Sequence, residues 1–273
     1  MKLSVLLSVY SKENPEYLTL SLHSLVSQTR KAEEVVLVED GPLTPDLQDI
    51  IGRFRTCLNI RSVKLQHNRG LAVALNEGLR QCSHPLVARM DTDDICLPQR
   101  FERQIAQFDN FNDLDVLGCF ATEIDADGNH GILRSMPITH ESITQNLWTS
   151  PFIHPTVMFR RDKILAIGGY DQSLRRRQDY ELWFRCAKAG FKFANLPDPL
   201  ILYRFDRNTH KKQPVGLALE QALIGYKGAS LASMSYWKRF ACFVPFLRAL
   251  LPAGMQHFVY KLMRKFDPRQ RTV

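Results

Sequence analysis

The sequence predicts an α/β fold, a mostly parallel sheet with helices on both faces, followed by a helical C-terminal tail. Three features carry the prediction. Over the first 112 residues, apolar runs alternate with amphipathic segments as β-α-β-α-β-α-β, the order of a parallel sheet covered by crossover helices. The run Leu86-Val87-Ala88 stops at Met90-Asp91-Thr92-Asp93-Asp94, so a buried strand ends by presenting carboxylates at its carboxyl edge. That edge is where open α/β sheets bind ligands. Beyond Gln213 the chain reads as helix to its end, broken by Pro245 and Pro252.

Taken in order, residues 3–10 form the first strand, 16–28 an amphipathic helix, and 35–39 a second strand ending in Asp40-Gly41-Pro42. Residues 45–54 read as helix, 62–66 as strand, 71–81 as helix after Asn68-Arg69-Gly70, and 86–90 as strand. Pro98 opens a helix at its favoured first position, with Phe101, Ile105 and Phe108 on one face. After residue 113 the pattern is irregular, with strands at 115–120, 155–159 and 200–205, a Gly168-Gly169 turn and a helix at 180–189. Asp125-Ala126-Asp127-Gly128-Asn129 starts like a calcium loop but lacks the closing Glu and flanking helices. It is read as a hairpin turn. The chain thus divides into a domain of residues 1–212, with halves 1–112 and 113–212, and a tail of 213–273.

A chain of 273 residues, 45% of them hydrophobic, can bury the core of one such domain. Cys57, Cys82, Cys96, Cys119, Cys186 and Cys242 are scattered without a C-x-x-C pair. That argues against a zinc site or a disulfide framework and for a reducing compartment. Residues 1–9 resemble a signal h-region, but Lys12 and Glu13 follow and no small-residue cleavage site appears, so a strand is the reading. The net charge of +8 is uneven. Residues 231–273 hold eight Lys/Arg and one acid, which leaves 28 bases and 27 acids in the rest. A nucleic-acid protein spreads basic residues over its folded domain; here the tail is the cation.

Four segments converge if the sheet is as read. Ser8-Val9-Tyr10 ends the first strand. Asp40, beside a glycine turn at the end of the second, suits a hydrogen bond from a base or ribose, though Asp-Gly-Pro is also an ordinary turn. Asn68-Arg69-Gly70 precedes a helix whose amino terminus suits phosphate, or is simply an Asn/Gly turn. Asp91 and Asp93 suit a hard divalent ion such as Mg²⁺ or Mn²⁺, which prefers oxygen ligands shared with a substrate's phosphates. His154, ahead of the 155–159 strand, is placed at the rim of the cleft as a further metal candidate or a structural histidine. Asp179 follows the basic run Arg175-Arg176-Arg177 and fits a helix N-cap; the same geometry offers a carboxylate to a substrate hydroxyl, as a general base requires.

The ordered set S-V-Y, V-E-D-G, N-R-G-L-A-x-A-L-N-E-G-L, M-D-T-D-D-I-C-L-P-x-R and Q-D-Y-E-L-W over roughly residues 2–210 resembles the GT-A glycosyltransferases of family 2. The resemblance is strongest to bacterial members that build exopolysaccharide, capsule or lipopolysaccharide. It implies a GT-A, Rossmann-like domain whose residues 1–112 bind a nucleotide-sugar, commonly a UDP-sugar, with dTDP- and GDP-sugars open, and whose 113–212 half takes the acceptor. It also implies Mn²⁺ or Mg²⁺ and inversion at the anomeric carbon. Carried over by residue, Asp40 would bond the base, with Ser8 and Tyr10 lining that pocket and Asn68 beside it. Asp91, with Thr92, would contact the ribose or metal-bound water, Asp93 would ligate the metal, and Asp179 would be the catalytic base. Two departures stand out: Gln178 replaces the usual Glu, which leaves Asp179 as the base, and Ala74 replaces a common Arg, which weakens the expected phosphate contacts.

The implied acceptor is a saccharide or a polyprenyl-diphosphate-linked saccharide, and the implied setting is cytoplasmic, peripheral on the inner face of the cytoplasmic membrane. Met255, Phe258, Val259, Leu262, Met263 and Phe266 fall on one side of a helix, with Lys261, Arg264 and Lys265 on the other. Such a cationic amphipathic helix lies in a membrane interface or packs on the domain. Two other functions compete. A nucleotidyltransferase would show a glycine- and basic-rich phosphate loop, which Tyr10-Ser11-Lys12-Glu13-Asn14 does not supply. A non-catalytic nucleotide-sugar-binding protein would not need Asp179. The lack of G-x-G-x-x-G after a strand argues against a dinucleotide dehydrogenase.

Overall fold

A computed structural model of the chain describes residues 1–205, 214–252 and 255. Its first half follows the alternation read above: β1 (Leu3–Val9), α1 (Pro15–Val26), β2 (Glu34–Glu39), α2 (Pro45–Phe54), β3 (Ile60–Lys64), α3 (Leu71–Gln81) and β4 (Leu86–Arg89). Local chemistry sets the helix starts. Asn14 accepts the Glu16 amide at 2.8 Å and Pro15 takes the first position of α1; Thr44 and Pro45 do the same for α2. A side-chain cap of this kind contributes about 1 kcal/mol.

The second half holds β5 (Ile95–Cys96), α4 (Arg100–Asn110), β6 (Leu114–Ile124), β7 (His130–Arg134), α5 (His140–Gln145), β8 (Met158–Arg160), α6 (Arg161–Ala166), α7 (Gln178–Lys188) and β9 (Lys192–Arg204). Then come α8 (Val215–Leu231), α9 (Tyr236–Ala241) and α10 (Val244–Ala249). The strands form one sheet in the order β3-β2-β1-β4-β8-β6-β9-β5, with β7 on β6. The first four pair in parallel; β8 runs antiparallel to both β4 and β6, and β9 returns parallel to β6.

Both faces of the sheet are covered. Leu3, Val5, Leu7 and Val9 pack with α1, α2 and α4 on one side. Leu6, Val36 and Val38 pack with α3, α6 and α7 on the other. Strand residues alternate between the two faces, which is why buried parallel strands read as continuous apolar runs.

Several expected bounds move. β3 begins at Ile60 rather than 62. Pro98 lies in a turn whose carbonyl accepts the Thr29 amide, and α4 starts at Arg100. Residues 154–156 form a 3₁₀ turn, not the start of a strand: Pro155 has no N–H to pair, and the Thr156 hydroxyl bonds the Ile153 carbonyl at 2.8 Å. The strand expected at 200–205 is the end of the 13-residue β9. Its Pro197 and Pro199 are carried in a bulge, where Leu196 pairs Cys119 and Pro199 pairs Phe120, as prolines in strands require. The 125–129 turn holds as read: the Asp125 carboxylate accepts the Asp127 and Asn129 amides and closes the β6–β7 hairpin. The amphipathic helix expected over 255–266 lies, apart from Met255, outside the described residues.

Candidate active site

Parallel pairing gathers the strand ends. β1 and β2 run in register from Ser4 with Glu34 to Val9 with Glu39, and Leu6 pairs Arg89 of β4. Ser8, Tyr10, Asp40 and Asp91 therefore share one edge of the sheet. Ser8 is half-buried and Tyr10 is exposed. Asp40 is buried, and its carboxylate accepts the backbone amides of Arg69 at 2.7 Å and Gly70 at 3.0 Å. Its observed bonds thus pin the loop before α3. Gly41 (φ +91°) lets the two turns touch, since a Cβ there would sit 2.8 Å from the Asn68 nitrogen. Asn68 itself is exposed beside this turn. Ala74 is fully buried in the core on α3 and makes no polar contact at the edge.

The carboxylates after β4 meet as expected, and a third joins them. Oxygens of Asp91, Asp93 and Asp94 lie within 4.8 Å of one another. Asp94 is fully buried: one oxygen accepts the Arg204 amide at 2.8 Å and the other has no hydrogen-bond partner. Burial, then the Asp91 charge, holds the Asp94 carboxyl well above its ordinary range, and the same causes raise Asp93 to about 6. Glu13, on the loop after β1, is raised to about 7 by burial, offset by a hydrogen bond with Thr92 and reinforced by Asp93 and Asp91. Crowded carboxylates with one orphaned oxygen fit a hard divalent cation, which supplies the missing positive charge.

Two arginines organise this cluster. Arg89, the last residue of β4, is wholly buried and ion-pairs with Asp91, while its Nε and Nη1 have no partner. Arg204, at the end of β9, donates from Nε to the Asp93 carbonyl at 3.0 Å and from Nη1 to the Asp125 carbonyl at 2.6 Å, and lies over the Tyr17 ring. It ties the acidic loop to the β6–β7 hairpin and to α1.

Asp179 lies across the sheet order on α7. It is the second helical residue; the N-cap is Arg177, in the left-handed region at φ +60° with no side-chain cap bond. The expected N-cap assignment for Asp179 is therefore corrected: the helix begins two residues earlier, directly after the basic run, and the half-buried carboxylate sits in the first turn. Burial raises its proton affinity, opposed by the Arg177 charge, the Tyr180 amide and the Arg89 charge. Gln178 is buried with its Oε1 unpartnered.

His154 is not among the clustered ligands. Its Nε2 lies 3.0 Å from the Tyr170 hydroxyl, and burial with the nearby Arg89 charge keeps it neutral by pushing its pKa well below the ordinary value. A metal candidate next to a buried guanidinium is thereby drawn into the aromatic layer of Tyr170 and Trp183 instead. Thr92 is buried beside Glu13. Sequence reasoning missed Arg89, Asp94 as a cluster member, Glu13 and Arg204. Arg89 had a signal, a charge between Ala88 and Met90 inside a buried strand; Arg204 had none, because its partners lie up to 111 residues away.

Comparison with known proteins gives the family and the fold. The chain matches the family described as "Glycosyl transferase family 2" over residues 4–182. It is 43% identical over 202 residues (74% of this chain, 75% of the relative) to the "Amylovoran biosynthesis glycosyltransferase AmsE" of Erwinia amylovora. Over 270 residues (97% and 98%) it is 32% identical to the "UDP-Gal:alpha-D-GlcNAc-diphosphoundecaprenol beta-1,3-galactosyltransferase" of Escherichia coli. The fold resembles residues 1–349 of S. aureus TarS in complex with UDP-GlcNAc, with a TM-score of 0.69 at 21% identity over 97% of this chain and 75% of that one. It spans 43% of a longer TarS chain.

Proposed function

The chain belongs to glycosyl transferase family 2, and on that premise we propose that it transfers a sugar, with inversion, from a UDP-sugar to a saccharide carried on a polyprenyl diphosphate during assembly of a bacterial surface polysaccharide. The observation that carries the reading is the pairing of an acidic cluster at the carboxyl edge of β4 with a separate carboxylate, Asp179, in the first turn of α7. The near full-length relative named for a diphosphoundecaprenol-linked acceptor supports the acceptor class. Residues 1–112 hold the donor and 113–212 the acceptor, at the inner face of the cytoplasmic membrane.

Ser8, Tyr10, Asp40 and Asn68 line the base pocket at the ends of β1 and β2, and Asp91 with Thr92 reaches the ribose. Asp93, with Asp91 and Asp94 beside it, would hold Mn²⁺ or Mg²⁺, whose charge stabilises the leaving diphosphate. Asp179 takes the proton of an acceptor hydroxyl, which attacks the anomeric carbon opposite the nucleotide. A raised proton affinity suits that role, since a base works best when its pKa approaches the working pH. Holding donor and acceptor in line removes on the order of several kcal/mol of barrier.

The test is a donor screen with the purified protein, Mn²⁺ and a polyprenyl-diphosphate-linked saccharide. The expected outcome is transfer from a UDP-sugar with inverted anomeric configuration, abolished by EDTA. A product of retained configuration, full activity in EDTA, or donor binding without any transfer would overturn the reading.

A further inference from the structure

The helices after β9 carry a surface that the reaction does not use. Tyr236 (75% exposed), Trp237 and Phe240 of α9, Leu247 of α10 and Leu250 just after it are all more than half exposed. Ten of the 15 large apolar residues exposed in the described structure lie between 215 and 255. Lys238, Arg239 and Arg248 are interleaved with them, and residues 231–252 contain no Asp or Glu. The Lys238 and Arg239 stems run beside their neighbours, with Lys238 Nζ 5.5 Å from the Trp237 ring and the Arg239 guanidinium 4.8 Å from the Tyr236 ring. Rings with a polar tip, cations on long apolar stems and no carboxylate are the residue set of a bilayer interface. An ordinary solvated surface would mix charges of both signs.

This surface is joined to the base. Trp237 meets Trp148 edge-on at 5.6 Å. The Trp148 carbonyl accepts the Tyr180 hydroxyl at 2.7 Å, and Tyr180 is the neighbour of Asp179 on α7. α8 packs on the same helix, with Gly225 and Gly228 against Tyr180 and Phe184. The helices are too short to span: among the described residues, none is long and apolar enough to cross a membrane.

We propose that the exposed aromatic and aliphatic face of α9 and α10 docks on an anionic lipid bilayer, with Lys238, Arg239 and Arg248 at headgroup level, so that the Asp179 end of α7 is held beside a membrane-borne acceptor. The orienting role rests on the proposed lipid-linked acceptor; the docking itself does not.

The test uses the full chain. It should co-sediment with vesicles of phosphatidylglycerol and phosphatidylethanolamine, bind phosphatidylcholine vesicles much more weakly, and release at high salt. Trp237→Glu/Phe240→Glu should weaken binding at least tenfold, and so should Leu247→Glu/Leu250→Glu, which leaves the Trp148 contact intact. Lys238→Glu/Arg239→Glu should cost on the order of five-fold per cation. Each variant should keep wild-type transfer to a water-soluble, short-chain acceptor analogue and lose transfer to the acceptor embedded in vesicles. No vesicle binding by the wild type, binding as tight as wild type by both apolar double variants, or a wild-type dimer that those variants dissociate would overturn the proposal. A wild type that binds vesicles but transfers nothing to the soluble analogue would count against the glycosyltransferase reading and leave the docking surface standing.

Discussion

Arg89 offers the sharpest test of how the acidic cluster is held. Its side chain is 2% exposed, its ion-pair partner Asp91 is 36% exposed, and its backbone is fixed by the Val157 carbonyl and by the Arg100 guanidinium. Arg89→Met removes the charge and keeps much of the volume. Breaking a fully buried pair by deleting one partner costs about 3–5 kcal/mol. Two features lower that figure here: Asp91 keeps part of its water, and the two unpartnered Arg89 nitrogens no longer have to be desolvated. We expect a loss of about 2 kcal/mol, or about 4–8 °C in Tm for a chain of this size. The loss should depend on pH. The Arg89 charge lowers the proton affinity of Asp93 and Asp94, so without it these two buried carboxyls bind protons still more tightly when folded than when unfolded. Each such carboxylate destabilises the fold as pH rises from its unfolded pKa through its folded one, and Asp93 already stands at about 6 against 3.8. The gap from wild type should therefore widen between pH 4 and pH 7. Urea unfolding in EDTA at pH 4.5 and 7.5 measures it, and Mn²⁺ should stabilise the variant more than the wild type at pH 7.5. A loss below about 0.5 kcal/mol, or a gap that does not change with pH, would refute the account.

Three further outcomes follow from the same geometry. Asp179→Asn should fold and bind donor normally yet lose about 10²–10⁴-fold in turnover. In the wild type the acid limb of kcat should fall at a pH above the ordinary carboxylate range, because burial raises the Asp179 pKa and the protonated form cannot act as base; near-normal turnover in the variant would reduce Asp179 to a helix-terminus residue. Asp93→Ala should abolish both transfer and the Mn²⁺-dependent rise in Tm, and a thermal shift equal to wild type would place the ion elsewhere. Gly78→Ala should cost about 1–3 kcal/mol by overpacking, since a Cβ at this position of α3 runs into Leu6 and Val38 of the sheet; a neutral change in urea unfolding would show that α3 can shift away.

The parallel half was legible in the sequence because its determinants are local. Strands buried on both faces must be continuous apolar runs, as in Val35–Val38, all four buried within β2, and caps such as Asn14-Pro15 mark helix starts from within two residues. The acidic edge was legible for the same reason: Asp91 and Asp93 are neighbours in the chain, and a strand that ends is bound to deliver them together, while the part of Asp94 in the cluster shows only in the folded arrangement. What the cluster is made of electrostatically was decided by tertiary structure. The raised proton affinity of Asp94 comes first from burial, which distant elements supply, among them β9, whose Arg204 amide bonds the carboxylate from 110 residues away; whether His154 can bind a cation depends on its burial, Arg89 and Tyr170, which reach it from other elements. β9 was hidden by Pro197 and Pro199, which mark a break in any local reading and are tolerated only because the long pairing with β6 absorbs them in a bulge. Residue pattern determines which segments are buried and where charge leaves the core; proton affinity and ligand geometry are sums over neighbours brought from distant parts of the chain, and only the folded arrangement supplies those neighbours.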